Sequence, residues 1–157
     1  MRTISKRTQY GLRAVIALGK KYGEGPVLIA SLAKDEGIPV KFLEGILFDL
    51  KGRGLLESKR GKGGGYQLSR PPSGITIGSL IRMMEGPLAP LPCASETAYR
   101  PCEECHDIEH CGTRIIMRQV RDAIADVLDK TTLADLIKRI DEGQQEHGAA
   151  QPLMYYI

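Results

Sequence analysis

Leu55-Leu56-Glu57-Ser58-Lys59-Arg60-Gly61-Lys62-Gly63-Gly64-Gly65-Tyr66-Gln67-Leu68-Ser69 decides the fold. Its two ends, Leu55 to Arg60 and Tyr66 to Ser69, read as short strands, and the glycine-rich run between them as the loop of a hairpin. Arg70-Pro71-Pro72 closes the unit, because proline has no amide to continue a ladder. The same glycines invite another reading, a phosphate loop for a nucleotide. That loop requires Gly-Lys followed by Ser or Thr at the opening of a helix. Here the glycines lead into Tyr66-Gln67-Leu68, a strand, so the nucleotide reading is rejected.

Upstream of the hairpin the apolar period changes to that of helices. Leu12, Val15, Ile16 and Gly19 share one face of a first helix over residues 3–22, ended by Gly23, Gly25 and Pro26. A short second helix, Leu28 to Glu36, turns Ile29, Leu32 and Ala33 inward, and Gly37 suits the left-handed position just past its end. Pro39 stands where a third helix can start. In that helix Leu43, Ile46, Leu47 and Leu50 face inward, while Lys41, Glu44, Gly45, Phe48 and Lys51 face elsewhere, and Gly52 to Gly54 stop it. Two short helices joined by a turn containing Gly are the helix-turn-helix pattern, whose second helix reads the major groove. A basic, glycine-rich hairpin after them makes a winged helix. The expected fold is mainly α with a small β-hairpin wing, followed by a long C-terminal dimerisation helix.

Downstream, residues 76–85 form a fourth helix with Ile77, Leu80, Ile81 and Met84 inward, terminated by Gly86-Pro87. Residues 87–112 are a long irregular loop rich in Pro and Cys, of a length usually kept for function. Residues 113–130 return to helix. Ile116, Val120, Ile124 and Val127 recur as on a packing seam, and Arg114, Arg118, Arg121, Asp122, Asp126 and Asp129 take the other faces. Thr132 with Asp135 signals the start of a short last helix with Leu133, Leu136, Ile137 and Ile140 inward. From Gly143 the chain is polar and expected to be disordered, apart from an apolar end, Leu153 to Ile157. The organisation is therefore a DNA-binding winged helix over 1–86, a cysteine-rich sensor loop over 87–112, dimerisation helices over 113–142 and a tail over 143–157.

Charge follows the same division. Residues 1–75 hold 14 Lys and Arg against 6 Asp and Glu, a net +8, whereas residues 76–157 hold 8 against 13, a net −5. A basic head on an acidic body suits a polyanion partner. Lys6, Arg7, Lys41, Lys59, Arg60 and Lys62 are the candidates to neutralise phosphates. Val40, Lys41 and Glu44, near the start of the reading helix, are placed for base edges, and Glu accepts from a cytosine amine. Arg60 beside the wing tip suits a narrow minor groove, and Gly63 and Gly64 allow close approach to the sugar-phosphate wall.

The cysteines are clustered: Cys93, Cys102, Cys105 and Cys111 all lie in the one loop. Thiolates select zinc, copper(I) or iron–sulfur clusters, and in a reducing cytosol clustered cysteines serve metal or redox chemistry more often than structural disulfides. Spacing alone leaves cluster, zinc and unligated thiols open. His106 and His110 read as exposed loop residues, and His147 as tail. Cys111 stands at the start of the long helix, so a group bound there would be tied to the seam.

Other classes are excluded or disfavoured. With 42% hydrophobic residues the chain is not disordered throughout, and with 0 Trp and 2 Phe its core must be aliphatic. No apolar run approaches a membrane span and the N-terminus lacks the apolar stretch of a signal peptide, so a cytoplasmic protein is expected. No nucleophile–base pair or metal-protease motif is legible, and an enzyme is not expected.

Ile4-Ser5-Lys6 with Tyr10-Gly11-Leu12-Arg13-Ala14, Phe42-Leu43-Glu44 with Ile46-Leu47, Arg60-Gly61-Lys62-Gly63-Gly64-Gly65-Tyr66 with Leu68, and Ile75-Thr76-Ile77 through Glu85-Gly86 together resemble the Rrf-type winged-helix regulators, the family of IscR, NsrR and RirA. The resemblance covers residues 1 to about 140. It implies a homodimer on palindromic operator DNA, acting as a repressor or activator controlled by a bound 2Fe-2S or 4Fe-4S cluster or by thiol chemistry. Cys93, Cys105 and Cys111 match the family's cysteine trio in position, which leaves Cys102 as a fourth ligand or a redox partner. Two positions depart from the family. Thr8 stands where some members place an acidic ligand, and Gly45 where a polar residue usually follows the Glu of the reading helix.

Overall fold

The computed structural model describes residues 4–103, 105 and 107–147. Helices α1 (Lys6–Lys20), α2 (Ile29–Glu36) and α3 (Val40–Gly52) precede a hairpin of β1 (Leu56–Lys59) and β2 (Gly65–Leu68). Then come α4 (Ile77–Glu85), α5 (Gly112–Lys130) and α6 (Leu133–His147), with single 3₁₀ turns at Pro72–Gly74 and Pro92–Ala94. The fold is a winged helix-turn-helix carrying a long C-terminal helix, as the sequence predicts. Among the described residues no helix is long and apolar enough to cross a membrane.

One apolar core unites α1, α2, α3, the hairpin and α4, and takes in Leu133 from α6. α3 buries Leu43, Ile46, Leu47 and Leu50, the face its period predicts. Gly37 adopts the left-handed conformation expected of it, with φ 59°, and its amide closes the end of α2. β1 and β2 pair antiparallel in the register Leu56 to Leu68, Ser58 to Tyr66 and Lys59 to Gly65. Val27 adds a third segment: its amide donates to the Tyr66 carbonyl at 2.8 Å and its carbonyl accepts from the Tyr66 amide at 2.9 Å. This bridge lays the base of the wing against the approach to α2.

α1 corrects the sequence reading. Its buried residues are Thr8, Gly11, Ala14, Val15, Leu18 and Gly19, while Leu12 and Ile16 sit half-buried at the flank. Close approach explains the rotation. A Cβ at Gly11 would stand 2.3 Å from the Met84 sulfur, and one at Gly19 2.8 Å from Ile137 Cδ1. The helix turns its small residues inward because α4 and α6 pack against it there.

α6 is capped as expected. The Asp135 amide donates to Thr132 Oγ1 at 3.1 Å, and Asp135 Oδ2 accepts from the Thr132 amide at 3.0 Å. The helix is longer than predicted: it continues through Gly143 to His147, so the stretch expected to be disordered from 143 is helical to 147. Residues 148–157, the rest of that tail, lie outside the described residues. α5 is joined to the head through α4, where Arg82 grips the Asp129 carboxylate with both terminal nitrogens at 2.5 and 2.8 Å.

Two predictions follow from these contacts. A Cβ at Gly65 would stand 2.1 Å from the Val27 carbonyl oxygen, whereas one at Gly61 meets nothing within 4 Å, although both glycines have positive φ. Gly65→Ala must therefore break the Val27 bridge and should cost about 3 kcal/mol in urea unfolding, against about 1 kcal/mol for Gly61→Ala, which carries the backbone strain alone. The second concerns acid. The hydrogen bond from Arg82, opposed by burial, holds the Asp129 carboxyl below its ordinary value of 3.8. A lowered folded value means that the pair's contribution is whole above the unfolded value and is lost as pH falls through the folded one. Asp135, lowered by Thr132, loses its contribution in the same window. Asp129→Asn should flatten part of the fall in stability between about pH 5 and about pH 2, by at most about 1 kcal/mol because the pair is half-exposed. Thermal melts across that range check it.

Candidate nucleic-acid interface and cysteine loop

The core fixes what α3 shows to solvent. With Leu43, Ile46, Leu47 and Leu50 inward, Val40, Lys41 and Glu44 stand exposed on the opposite side, as the sequence predicts. α3 starts where Pro39 ends the turn: the Pro39 carbonyl accepts from the amides of Phe42 and Leu43, each at 3.0 Å. Phe42 packs edge-on against Tyr10, with ring centroids 5.6 Å apart, and so locks the start of α3 to α1. Lys6 lies 5.9 Å from the centre of the same Tyr10 ring.

The basic candidates divide into free and engaged. Lys41, Lys59, Arg60 and Lys62 are exposed, and no ion pair or side-chain hydrogen bond occupies them among the described residues. Arg7 is different: its guanidinium pairs with Asp49 of α3 at 3.1 Å, and Asp49 also takes Arg53 at 3.3 Å. Arg7 thus braces α1 against α3, and its charge is partly neutralised. At the wing tip the Gly64 amide donates to the Gly61 carbonyl at 2.9 Å, closing the turn that carries Lys62 and Gly63. Gly64 itself is buried against the turn backbone: a Cβ there would stand 2.3 Å from the Lys59 carbonyl oxygen. Gly63 is exposed at the tip and Gly64 serves the turn.

The cysteine loop is held against α5 by arginines. Cys93 sits in the 3₁₀ turn Pro92–Ala94 and is 5% exposed. Its carbonyl accepts from Arg114 Nε at 3.1 Å, and Arg114 Nη1 donates to the Ile108 carbonyl at 3.1 Å. One turn-pair along α5, Arg121 donates to the Ala94 carbonyl at 2.7 Å and pairs with Glu96 at 3.1 Å and with Asp122. Arg121 is the one buried residue of α5. This overturns its assignment to an outer face: α5 turns the row Arg114, Met117, Arg121, Ile124 and Leu128 toward its own chain, and leaves Ile116 and Val127, 48% and 64% exposed, on the other side. Ile124, placed on the predicted seam, belongs to the inner row. Sequence reasoning missed Arg114 and Arg121 as loop anchors. Their signal was their place on a three-four apolar spacing, which a rule sending every arginine to water discards.

All four cysteines are free thiols. Cys111 is the residue before α5, and the Cys105 amide donates to the Cys102 carbonyl at 3.3 Å. Cys102 is exposed, yet a hydrogen bond with the Cys93 thiol, then burial, then the charges of Cys93, Cys105 and Cys111 push its own thiol above the ordinary value. Cys102 thus lies within electrostatic reach of the other three cysteines. Among the described residues no three His, Cys, Asp or Glu side chains are grouped to hold an ion. His110 is exposed and contacts Asp107 at 2.8 Å, in keeping with a loop residue, while His106 lies outside the described residues. Thr8 is fully buried and its hydroxyl takes part in a bond with Ser5 at 3.2 Å, so α1 turns no acidic group outward at that position.

Comparison with known proteins matches this arrangement. Residues 4–139 fit the Rrf2 family, described as iron-dependent transcriptional regulators. The chain is 38% identical over 154 residues to the HTH-type transcriptional regulator CymR of Bacillus subtilis, covering 98% of this chain and 99% of that one. It is 36% identical over 137 residues to an rrf2-like HTH-type regulator of Rhodobacter capsulatus, covering 85% and 91%. Among solved structures, CymR of B. subtilis, titled the global cysteine regulator, superposes with a TM-score of 0.74 at 37% identity over 88% of this chain and 98% of that one. The T. potens IscR structure superposes with a TM-score of 0.73 at 33% identity over 99% and 97%. With its winged helix, its cysteine loop and this span of likeness, the chain belongs to the Rrf2 family of transcriptional regulators.

Proposed function

We propose that this regulator binds palindromic operator DNA as a cytoplasmic homodimer, acts as a repressor, and adjusts its grip through an iron–sulfur cluster held by Cys93, Cys102, Cys105 and Cys111. The observation that carries the reading is the pair of arginines, Arg114 and Arg121, by which the cysteine loop hangs on the same helix that presents bare Ile116 and Val127. An apolar helix face left uncovered in one chain suits a second copy. Sensor loop and dimer seam then share one rigid element, so a change at the cysteines alters the spacing of two reading helices.

The donor chemistry suits a cluster, four soft thiols in one short loop, although among the described residues no three of them are grouped to hold an ion. A bound cluster would supply a redox-active and oxidant-sensitive group. The chain's own part is to hold the loop backbone through Arg114 and Arg121 and to exclude water from buried Cys93. A second reading is favoured by the free thiols of the loop, Cys93 and Cys102 among them. Without metal, a peroxide would join those two sulfurs, taking two electrons and two protons from the thiols to leave an alcohol and water, and the loop would be locked. A partner-binding protein with structural zinc is the third possibility, and its mark would be absent or salt-insensitive DNA binding.

Purification without oxygen, with visible absorption and iron and sulfide analysis, separates these. A brown protein is expected, with sulfide present and colour lost in Cys93→Ser, Cys105→Ser or Cys111→Ser; Cys102→Ser tests the fourth ligand. Metal-free protein whose DNA binding reverses with dithiothreitol would establish the thiol switch instead, and zinc without colour would sink sensing. For the interface, Lys41→Ala and Arg60→Ala should each weaken binding to any duplex and lower the slope of log affinity against log salt by about 0.9. Slopes unchanged in both variants would remove these residues from the phosphate contacts.

A further inference from the structure

Phe48 is 74% exposed, more than any other large apolar residue described. At 100° per residue it points within about 30° of the direction straight away from the buried face of α3. Of the four positions that flank it on the helix surface, Gly45 and Gly52 carry no side chain, and the other two are Glu44 and Lys51. A Cβ at either glycine would meet nothing within 4 Å, so the ring stands on a bare strip of helix. Val40, 46% exposed, lies on the flank one turn before Glu44, nearer the buried face than Phe48 is. By the same geometry Lys41 and Gly52 lie at the centre of the outward face, with Phe48 and Gly45 directly beside them and Glu44 further round. This differs from Phe42, 45% exposed, whose ring has an edge contact with Tyr10.

We propose that Phe48 is a specificity residue that reads thymine methyl groups in the major groove, with Gly45 leaving room for the helix backbone to come close to the base edges. The assignment rests on the operator-reading role given to α3 above. Its chemistry is that of the groove: the C5-methyl of thymine is the one apolar group a base pair displays there, and a phenyl ring is among the side chains that contact it. The phosphate walls offer the ring nothing. A polar side chain at 45 would stand between the helix and the bases, and Gly45 places none there. The operator half-site is then expected to carry thymine at the positions facing the C-terminal half of α3, with the Glu44 contact toward a cytosine nearer its start.

The whole protein is used to select duplexes from a randomised pool, once anaerobically purified and once metal-free. Affinities are then measured on the selected duplex and on copies in which each thymine in turn is replaced by deoxyuridine, which removes the methyl and leaves the pairing. Wild type should lose about fourfold at one or two positions of each half-site, the worth of one buried methyl. Phe48→Ala should bind the thymine duplex more weakly and be indifferent to the methyl at those positions, while unfolding as wild type does because the ring supports no core. Equal deoxyuridine losses in wild type and Phe48→Ala would overturn the assignment and leave DNA binding standing. So would Phe48→Ala that binds every duplex normally but changes the sedimentation of the free protein, which would give the ring to a protein contact. Wild type that selects no duplex in either form would overturn the operator-reading role itself, and this assignment with it.

Discussion

The burial of one face of α3 is the constraint on which the rest of the molecule depends. Leu43, Leu47 and Leu50 are at most 1% exposed and Ile46 is 2% exposed. Each contributes roughly 1.5–3 kcal/mol relative to an exposed side chain. Turning α3 by a single residue would keep only Leu47 and replace the other three with Glu44, Phe48 and Lys51, so the core holds the helix against rotation by many times thermal energy. The outward face is therefore fixed as firmly as the inward one. The same core takes Leu55, Leu56 and Leu68 from the hairpin, which sets the wing beside α3. The exposed basic tip is what remains of the hairpin once its leucines are committed.

That constraint explains which parts of the fold were legible. α3 and the wing are written in large aliphatic residues at clean spacing and in glycines that only a tight turn requires, and both came out as read. α1 came out only in part: Val15 and Gly19 are buried as read, but the rest of the inner face is Thr8, Gly11, Ala14 and Leu18, where the small residues contribute nearness rather than hydrophobicity. Counting apolar bulk favoured Leu12 and Ile16, which cover the flank instead. The end of α6 was misjudged for a related reason: a polar sequence can remain helical when its first turns are anchored, here by Leu133 in the core and by the Ile77 and Leu133 amides bonded across to Thr131 and Ile75 at 2.9 and 2.7 Å.

The candidate site divides in the same manner. The donor set of the cysteine loop and the charged wing are matters of residue type, which a sequence states outright. The loop's path is not, since it is decided by backbone carbonyls meeting side chains far along the chain. Arg121 is the clearest case. Burying a guanidinium is costly unless its donors are used, and here the Ala94 carbonyl, Glu96 and Asp122 use them. No local pattern in α5 announces those partners. The position of Cys93 depends on that anchoring too, for Arg114 and Arg121 hold the carbonyls of its 3₁₀ turn against the helix.

The anchoring also limits how a signal at the cysteines can reach DNA. Among the described residues no hydrogen bond or ion pair joins the loop to α3. Within one chain the route runs from α5 through the Arg82–Asp129 pair to α4, then through Met84 against Gly11 to α1, and only then to the reading helix. Every step after the first lies in or against the packed core, where deforming side-chain contacts is costly. Moving α5 against a second copy disturbs only exposed surface, Ile116 and Val127 among it. The cheaper motion is the rigid displacement of one head relative to another, and a rigid displacement changes half-site spacing while leaving each head's base contacts intact. In the proposed dimer, loop chemistry would therefore choose between operators by the distance between their halves, and the residues on α3 would choose by sequence.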